Sequence, residues 1–340
     1  MNKTALLSAA LLLSAQCVFA QTEDKTLVVV AGQESPLAYN QGIKDYNNKS
    51  LNQAQANFTK AIEGNSQFYQ ALYNRGITEL SLNDNGAAQN DFNQAVSLSE
   101  NPRYYLGRAV SNARLRKFSD AMSDIDKAQN LGYNEAELCY FRGMVYLMSG
   151  NYTQAEQQYN KAIRSNDQYA FAYCDRGTLQ YLRGNYKAAI DDYNTALAIK
   201  PGATFIYIFR AEAKSESGNL SGAVQDLNAA LEISPDDYDL INARGQLYIK
   251  AKQYDKAQAD FESLIEKDEN NPSAYISMGN LCFAQKEYQK AKEYFTKAIE
   301  KDPYNYTAYN NRANAEELLF ETKNADNDRK KADSLQKVKL

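Results

Sequence analysis

A small residue, Gly or Ala, returns at positions 42, 76, 109, 143, 177, 211, 245, 279 and 313. Seven of the eight intervals are 34 residues; the eighth, from 76 to 109, is 33 and falls beside Asn101-Pro102. Self-similarity at a fixed period of this size limits a chain to a stack of supersecondary units, each burying its apolar face against the next. It also removes the usual inference that 340 residues make two or three compact domains, because an array grows by addition.

Within each unit the spacing predicts a pair of helices. Ala stands twelve residues after every small residue: Ala54, Ala88, Ala121, Ala155, Ala189, Ala223, Ala257, Ala291 and Ala325. Four residues on come Phe58, Phe92, Ile125, Tyr159, Tyr193, Leu227, Phe261 and Phe295, with Arg329 in the ninth unit. Three further on Ala returns in eight units, and Leu264 is the exception. Offsets of four and three mark one helix face. Small residues on both helices permit close approach, and the large residue fills the space beside that contact. Gly150-Asn151, Gly184-Asn185 and Gly218-Asn219 supply the turn between the helices, in residue types that tolerate left-handed backbone. Pro36, Pro102, Pro201, Pro235, Pro272 and Pro303 all fall near unit boundaries, as expected of a residue that breaks helix interiors.

These positions resemble those of the tetratricopeptide-repeat family, whose 34-residue unit has small, aromatic and Pro residues at the same offsets. The resemblance implies an all-α fold: an α-solenoid of about nine stacked antiparallel helix pairs wound into a right-handed superhelix with a concave groove. The units fall at 35–68, 69–101, 102–135, 136–169, 170–203, 204–237, 238–271, 272–305 and 306–339. The end units depart from the family pattern. Asp45 stands where an aromatic is common, and Glu316, Glu317 and Arg329 stand at positions that are usually apolar, which suits solvated caps.

Composition narrows the function. The chain has no histidine, which excludes a Ser-His-Asp triad, a Cys-His dyad and any His-ligated metal. It has no glycine-rich phosphate loop, no metal-spaced Cys cluster and no GxSxG, so the expectation is no enzyme, no cofactor and no metal. A net charge of −4, a diffuse acidic balance, argues against nucleic acid, which calls for a basic face, and leaves room for a local basic patch. The basic run Arg329, Lys330, Lys331, Lys337 and Lys339 reads as a solvated helix end.

The first residues read as an export signal. Lys3 is followed by an apolar stretch from Ala5 to Ala15 and a small-x-small site, Val18-Phe19-Ala20, placing 1–20 as signal peptide and 21–35 as an extended segment or linker. The stretch is too short for a transmembrane span. Gln16 before Cys17 argues against lipidation at that cysteine. The expected location is therefore periplasmic or secreted, in a Gram-negative bacterium. Cys139, Cys174 and Cys282 are too widely spaced for a disulfide framework and read as buried hydrophobes.

Six units carry Arg before the small residue and Asp fifteen after it: Arg75/Asp91, Arg108/Asp124, Arg176/Asp192, Arg210/Asp226, Arg244/Asp260 and Arg312/Asp328. The fourth has Arg142 with Gln158. The first and eighth lack both charges, with Gln41/Asn57 and Met278/Tyr294. Joint loss predicts contact, hence an Arg–Asp bridge between the helices of one unit. The alternative is an Arg ladder for an acidic ligand.

The family resemblance implies binding of a protein or peptide in a groove lined by the first helices. The residues it points to are Tyr39, Tyr46, Tyr73, Tyr140, Phe171, Cys174, Tyr181, Phe205 and Ile208. The family's known Lys, Arg and Asn set for acidic C-terminal tails is not found at its expected positions. The leading expectation is a protein-interaction scaffold of the cell envelope. The alternatives are a subunit or chaperone-like factor of an envelope assembly machine and, third, a small-ligand receptor.

Overall fold

The computed structural model describes residues 34–338. The expected signal peptide, Cys17, most of the 21–35 segment and Lys339 lie outside the described residues. The described chain consists of helices in consecutive antiparallel pairs, with no strand among the described residues. It divides into two compact units, one ending at Pro201 and the other starting at Gly202.

The first unit holds five hairpins. They pair α1 (Glu34–Asn47) with α2 (Leu51–Gly64), α3 (Tyr69–Ser81) with α4 (Asn85–Leu98), and α5 (Pro102–Arg114) with α6 (Phe118–Asn130). The last two pair α7 (Glu135–Met148) with α8 (Tyr152–Ser165) and α9 (Ala170–Leu182) with α10 (Tyr186–Ile199). The second unit holds four. They are α11 (Thr204–Glu216) with α12 (Leu220–Ile233), α13 (Tyr238–Lys250) with α14 (Tyr254–Lys267), α15 (Pro272–Ala284) with α16 (Tyr288–Lys301), and α17 (Tyr306–Leu318) with α18 (Thr322–Val338). Because α1 begins at Glu34, residues 34 and 35 are helical rather than part of an extended segment. Pro36 causes no break there, since a first-turn N–H has no intrahelical acceptor to lose.

The hairpins close on a contact between the small residue of the first helix and the large residue sixteen positions later. A Cβ added to Gly42 would lie 2.6 Å from the Phe58 ring, and one added to Gly143 2.6 Å from the Tyr159 ring. The same holds for Gly76 with Phe92, Gly177 with Tyr193, Gly245 with Phe261 and Gly279 with Phe295. Gly is present in all six hairpins where the facing residue is aromatic; Ala109 and Ala211 occur where it is Ile125 and Leu227. The choice between Gly and Ala thus follows the thickness of what it must accommodate. All eight large side chains are buried, as are the alanines beside them.

The turns within hairpins share one backbone conformation. Gly150, Gly184 and Gly218 have φ of +81, +81 and +87°. At the equivalent position of the other six hairpins stand Lys49, Asn83, Arg116, Lys252, Lys286 and Phe320, with φ between 56 and 66°. Between hairpins, Asn65, Asn166, Asp268 and Asp302 each accept a hydrogen bond from the backbone N–H two residues on. Asn101 and Asn271 cap the helices that Pro102 and Pro272 open. The 33-residue interval reflects a link of three residues, 99–101, in place of four.

Candidate functional site

The Arg–Asp pairs lie inside single hairpins and are bidentate. They join Arg75 to Asp91, Arg108 to Asp124, Arg176 to Asp192, Arg210 to Asp226, Arg244 to Asp260 and Arg312 to Asp328. In each, Nε and Nη2 both donate to the carboxylate, at 2.6–3.0 Å. The hydrogen bond to Asp holds Arg75, Arg108, Arg176, Arg244 and Arg312 above the usual guanidinium value, against the opposing effect of burial. Tyr105, Tyr173, Tyr207 and Tyr309, one turn earlier, place their rings 5.5–5.6 Å from the guanidinium of Arg108, Arg176, Arg210 and Arg312.

None of the six carboxylates is a surface group. Asp91, Asp124, Asp192, Asp226, Asp260 and Asp328 are all buried, and their arginines are half-buried. Asp226 carries a second cation as well, with Lys214 Nζ 2.8 Å away. Asp260 and Asp328 sit at the same depth in hairpins 7 and 9, each closed over by its own arginine. The alternative of an Arg ladder open to an acidic ligand is therefore corrected. The edge that would grip a ligand carboxylate already grips one, and a buried charge is stable only with its partner in place.

The arginines also reach the preceding hairpin. Nη1 of Arg75, Arg108, Arg176, Arg244 and Arg312 donates to Thr59, Asn93, Asn160, Asn228 and Thr296. Each of these arginines therefore ties three helices. The sequence signal for this second bond is a short polar residue seventeen positions after the preceding small residue, which pair-counting within one unit does not see.

The exceptions are each resolved locally. In hairpin 1 the charge is transposed: Asp45 accepts from Gln41 at 2.9 Å and from Asn57 at 2.7 Å, which accounts for the departure noted at Asp45. In hairpin 8, buried Met278 and half-buried Tyr294 join one apolar cluster. In hairpin 4, Nη2 of Arg142 donates to Asp126 and Gln129 of the preceding hairpin. Hairpins 2 and 9 add a second carboxylate beside the pair. Glu79 accepts from Gln55 at 3.4 Å, lies 3.9 Å from Arg75, and has its Oε2 buried without a partner. Burial first, then Asp91, pushes the Glu79 carboxyl up to about 8, with Arg75 opposing.

The nine residues expected to line a groove are packing residues for the most part. Tyr39, Tyr73, Tyr140, Phe171, Cys174, Tyr181 and Phe205 are buried, and only Tyr46 and Ile208 are half-buried. Ring centroids of Tyr39 and Phe68 lie 4.8 Å apart, as do those of Tyr73 and Tyr104. The Tyr39 hydroxyl accepts from Asn74 of the next hairpin at 3.0 Å. A tyrosine that spans the gap between first helices and finds a polar partner is a core residue, so the seven buried side chains present nothing for a ligand to touch. Cys139, Cys174 and Cys282 are buried free thiols.

Among the described residues Tyr46, Ile208 and Glu212 are half-buried on the equivalent face of hairpins 1 and 6, and the face is most open in hairpins 7 to 9. There the positions three before, one after and four after the small residue are Asn242, Gln246 and Ile249; Ile276, Asn280 and Phe283; Asn310, Asn314 and Glu317. All nine are half-buried or exposed. Their counterparts in hairpin 2 (Tyr73, Ile77, Leu80) and hairpin 4 (Tyr140, Met144, Leu147) are buried. Hydrogen bonds join successive first helices along this face: Ser277 donates to Asn242 at 2.6 Å and accepts from Gln246 at 3.2 Å, and Asn311 donates to Asn280 at 3.1 Å. Amide side chains offer both donors and acceptors, the complement of an extended peptide backbone. Among the described residues no helix is long and apolar enough to cross a membrane.

Family models described as tetratricopeptide repeat match residues 73–135, 136–169, 170–202, 214–282 and 272–305, together well over half of the chain. Tetratricopeptide repeat protein 6 of Homo sapiens is 29% identical over 133 residues, 38% of this chain; the match spans 25% of that protein's length. The crystal structure of yeast Tom70 is similar with a TM-score of 0.62 at 17% identity, covering 96% of this chain and 70% of that one. The APC/C hetero-tetramer Cut9–Hcn1 is similar with a TM-score of 0.55 at 15% identity, covering 93% and 64%. At these identities the likeness is one of fold.

Proposed function

This chain belongs to the tetratricopeptide-repeat family, and we propose that it is a non-enzymatic scaffold of the cell envelope that holds a protein or peptide partner on its first helices. The observation that carries this reading is the accessible amide-rich face of α13, α15 and α17. It combines Asn242, Gln246, Asn280 and Asn314 with the apolar Ile249, Ile276 and Phe283. Such a face suits a bound segment that needs both backbone hydrogen bonds and anchoring side chains. The paired arginine and aspartate side chains are consumed in holding hairpins together, whereas each of these amides spends one polar atom on a neighbour and keeps the other for a ligand. The order of Lys3, apolar stretch and Ala20 supports export.

The test is affinity capture from envelope extract of the native host, with the chain and an Asn280→Ala/Asn314→Ala variant as parallel baits. A partner retained by the first and lost by the folded second supports the reading. Equal capture moves the interface off this face, and no specific capture removes the scaffold role. Constitutive membership of an assembly is favoured by one observation: Phe320 is 90% exposed beside Leu318 at the turn of hairpin 9. That reading predicts co-purification at a fixed stoichiometry and loss of the complex on Phe320→Ser.

A further inference from the structure

In hairpin 4 the arginine clamp is missing at two positions. Gln158 stands where an Asp grips the Nε–Nη2 edge of the arginine in hairpins 2, 3, 5, 6, 7 and 9. Cys139 stands where a Tyr ring lies against the guanidinium in hairpins 3, 5, 6 and 9. What remains is a cleft of about 550 Å³ whose walls include Gln129, Glu135, Cys139, Arg142, Gln158 and Lys161, two cations against one carboxylate. The Arg142 side chain is only 19% exposed and is bonded through Nη2 alone, to Asp126 at 2.7 Å and Gln129 at 2.6 Å. Its Nε and Nη1 make no hydrogen bond to any described residue.

Nε and Nη1 of Arg142 are not among the buried atoms without a partner, so these donors meet solvent and are open to a ligand. Six sister hairpins show the group that pairs at this position, a carboxylate. In hairpin 4 both Nη2 N–H groups are given to Asp126 and Gln129, so an incoming carboxylate takes Nε and completes the two-bond pair by displacing one of them. The charges around the cleft favour the same group. Arg142, Lys161 and Arg164 all favour the ionised form of the Cys139 thiol and Glu135 opposes it, although burial keeps that thiol high. Asp126 is 65% exposed and holds Arg142 through a single Nη2 bond, which makes it the weaker of the ligands an incoming carboxylate competes with. The cleft is also larger than a carboxylate needs, leaving room for the backbone that carries one.

We propose that the cleft beside Arg142 receives a carboxylate side chain from an acidic segment of the partner protein, completing in trans the ion pair that the sister hairpins make in cis. This rests on the reading that the chain binds a protein, and it names a chemical feature of that protein. It concerns a different surface from the amide face of hairpins 7 to 9, and the two fail separately.

The test is an NMR titration of the full chain, following the Arg142 Nε–Hε signal assigned with Arg142→Lys. The probes are the capped peptide acetyl-Gly-Glu-Glu-Gly-amide, its Gln-Gln counterpart, glutarate and inorganic phosphate. The Glu peptide is expected to shift the Arg142 signal and the Gln peptide to leave it unmoved. Gln158→Asp rebuilds the cis pair and therefore keeps the fold. It is expected to weaken Glu-peptide binding by about tenfold or more, the ratio that one charge-assisted hydrogen bond sets. Absence of a shift with the Glu peptide, or equal binding by Gln158→Asp, overturns the proposal. Glutarate or phosphate binding as tightly as the Glu peptide overturns it in favour of a small-anion site. If the Glu peptide binds but the chain captures no protein from its host, the scaffold reading fails; if a partner is captured and the peptide leaves Arg142 unmoved, only this inference does.

Discussion

Gly245→Ala tests the packing rule that closes every hairpin. Ala is the better helix former by about 1 kcal/mol, so on local propensity the substitution in the middle of α13 stabilises. Packing opposes it. The new Cβ would lie 2.7 Å from Cζ and 3.0 Å from Cδ1 of Phe261, and closer still to Cε1, in a ring with none of its surface exposed. Overpacking of this kind costs about 1–3 kcal/mol, so after the propensity gain a net loss of up to about 2 kcal/mol is expected. Phe261→Leu alone is expected to cost about 1–2 kcal/mol through the space it leaves. The double substitution recreates the Ala211/Leu227 combination of hairpin 6 and is expected to come within about 1 kcal/mol of the parent, a coupling of roughly 1–3 kcal/mol. Urea unfolding followed by far-ultraviolet circular dichroism measures the cycle. Hydrogen exchange of α13 and α14 localises it, because an array need not unfold as one unit. A stabilised Gly245→Ala, or a double variant whose loss is the sum of the single losses, refutes the rule.

Phe320→Gly is expected to raise the stability of the last hairpin by about 1–2 kcal/mol in hydrogen exchange, since a left-handed φ of 63° strains a bulky residue that is 90% exposed and packs on little. Asp192→Asn is expected to cost about 1–3 kcal/mol, with Arg176→Lys not equivalent to wild type, because a bidentate pair to a largely buried carboxylate is lost; thermal unfolding of the two variants reads it. Glu79 gives a pH dependence. Its folded value of about 8 exceeds the ordinary 4.5, so the folded state binds the extra proton; its contribution is fully present below 4.5 and is lost as pH rises through about 8. Glu79→Gln is expected to flatten that part of the curve of urea midpoint against pH, and an unchanged slope contradicts the assignment.

The hairpin architecture was legible because its determinants are periodic: small residue, Ala, large residue and Ala recur at fixed offsets, the offsets of four and three marking one face of the second helix and the offset of sixteen being a contact between the two. The Gly-or-Ala choice was legible too, but only when position 245 is compared with position 261 rather than with other small residues. The left-handed turns were visible at Gly150, Gly184 and Gly218 and hidden at Lys49 or Phe320, where the closed hairpin imposes a conformation that the residue disfavours. Burial depth was the real limit. Tyr73 and Gln246 lie on the same face of equivalent helices, and periodicity assigns that face without saying whether the neighbouring hairpin covers it. Most of the aromatic residues that looked suited to a ligand, Tyr39, Tyr73, Tyr140, Phe171 and Tyr181, are buried in the first unit, and the face most open is the amide-rich one. The arginine's bond to the preceding hairpin escaped for a related reason: its partner changes identity among Thr, Asn and Asp.

The central claim is that a protein segment lies on the first-helix face of hairpins 7 to 9, and a photo-crosslinking amino acid placed at that face tests it most directly. With the probe at position 280 or 314, irradiation in the native host is predicted to link the chain to one defined partner segment, while the same probe at the exposed Gln289 on α16 gives no such product. Linkage from position 289 with none from 280 or 314 contradicts the claim.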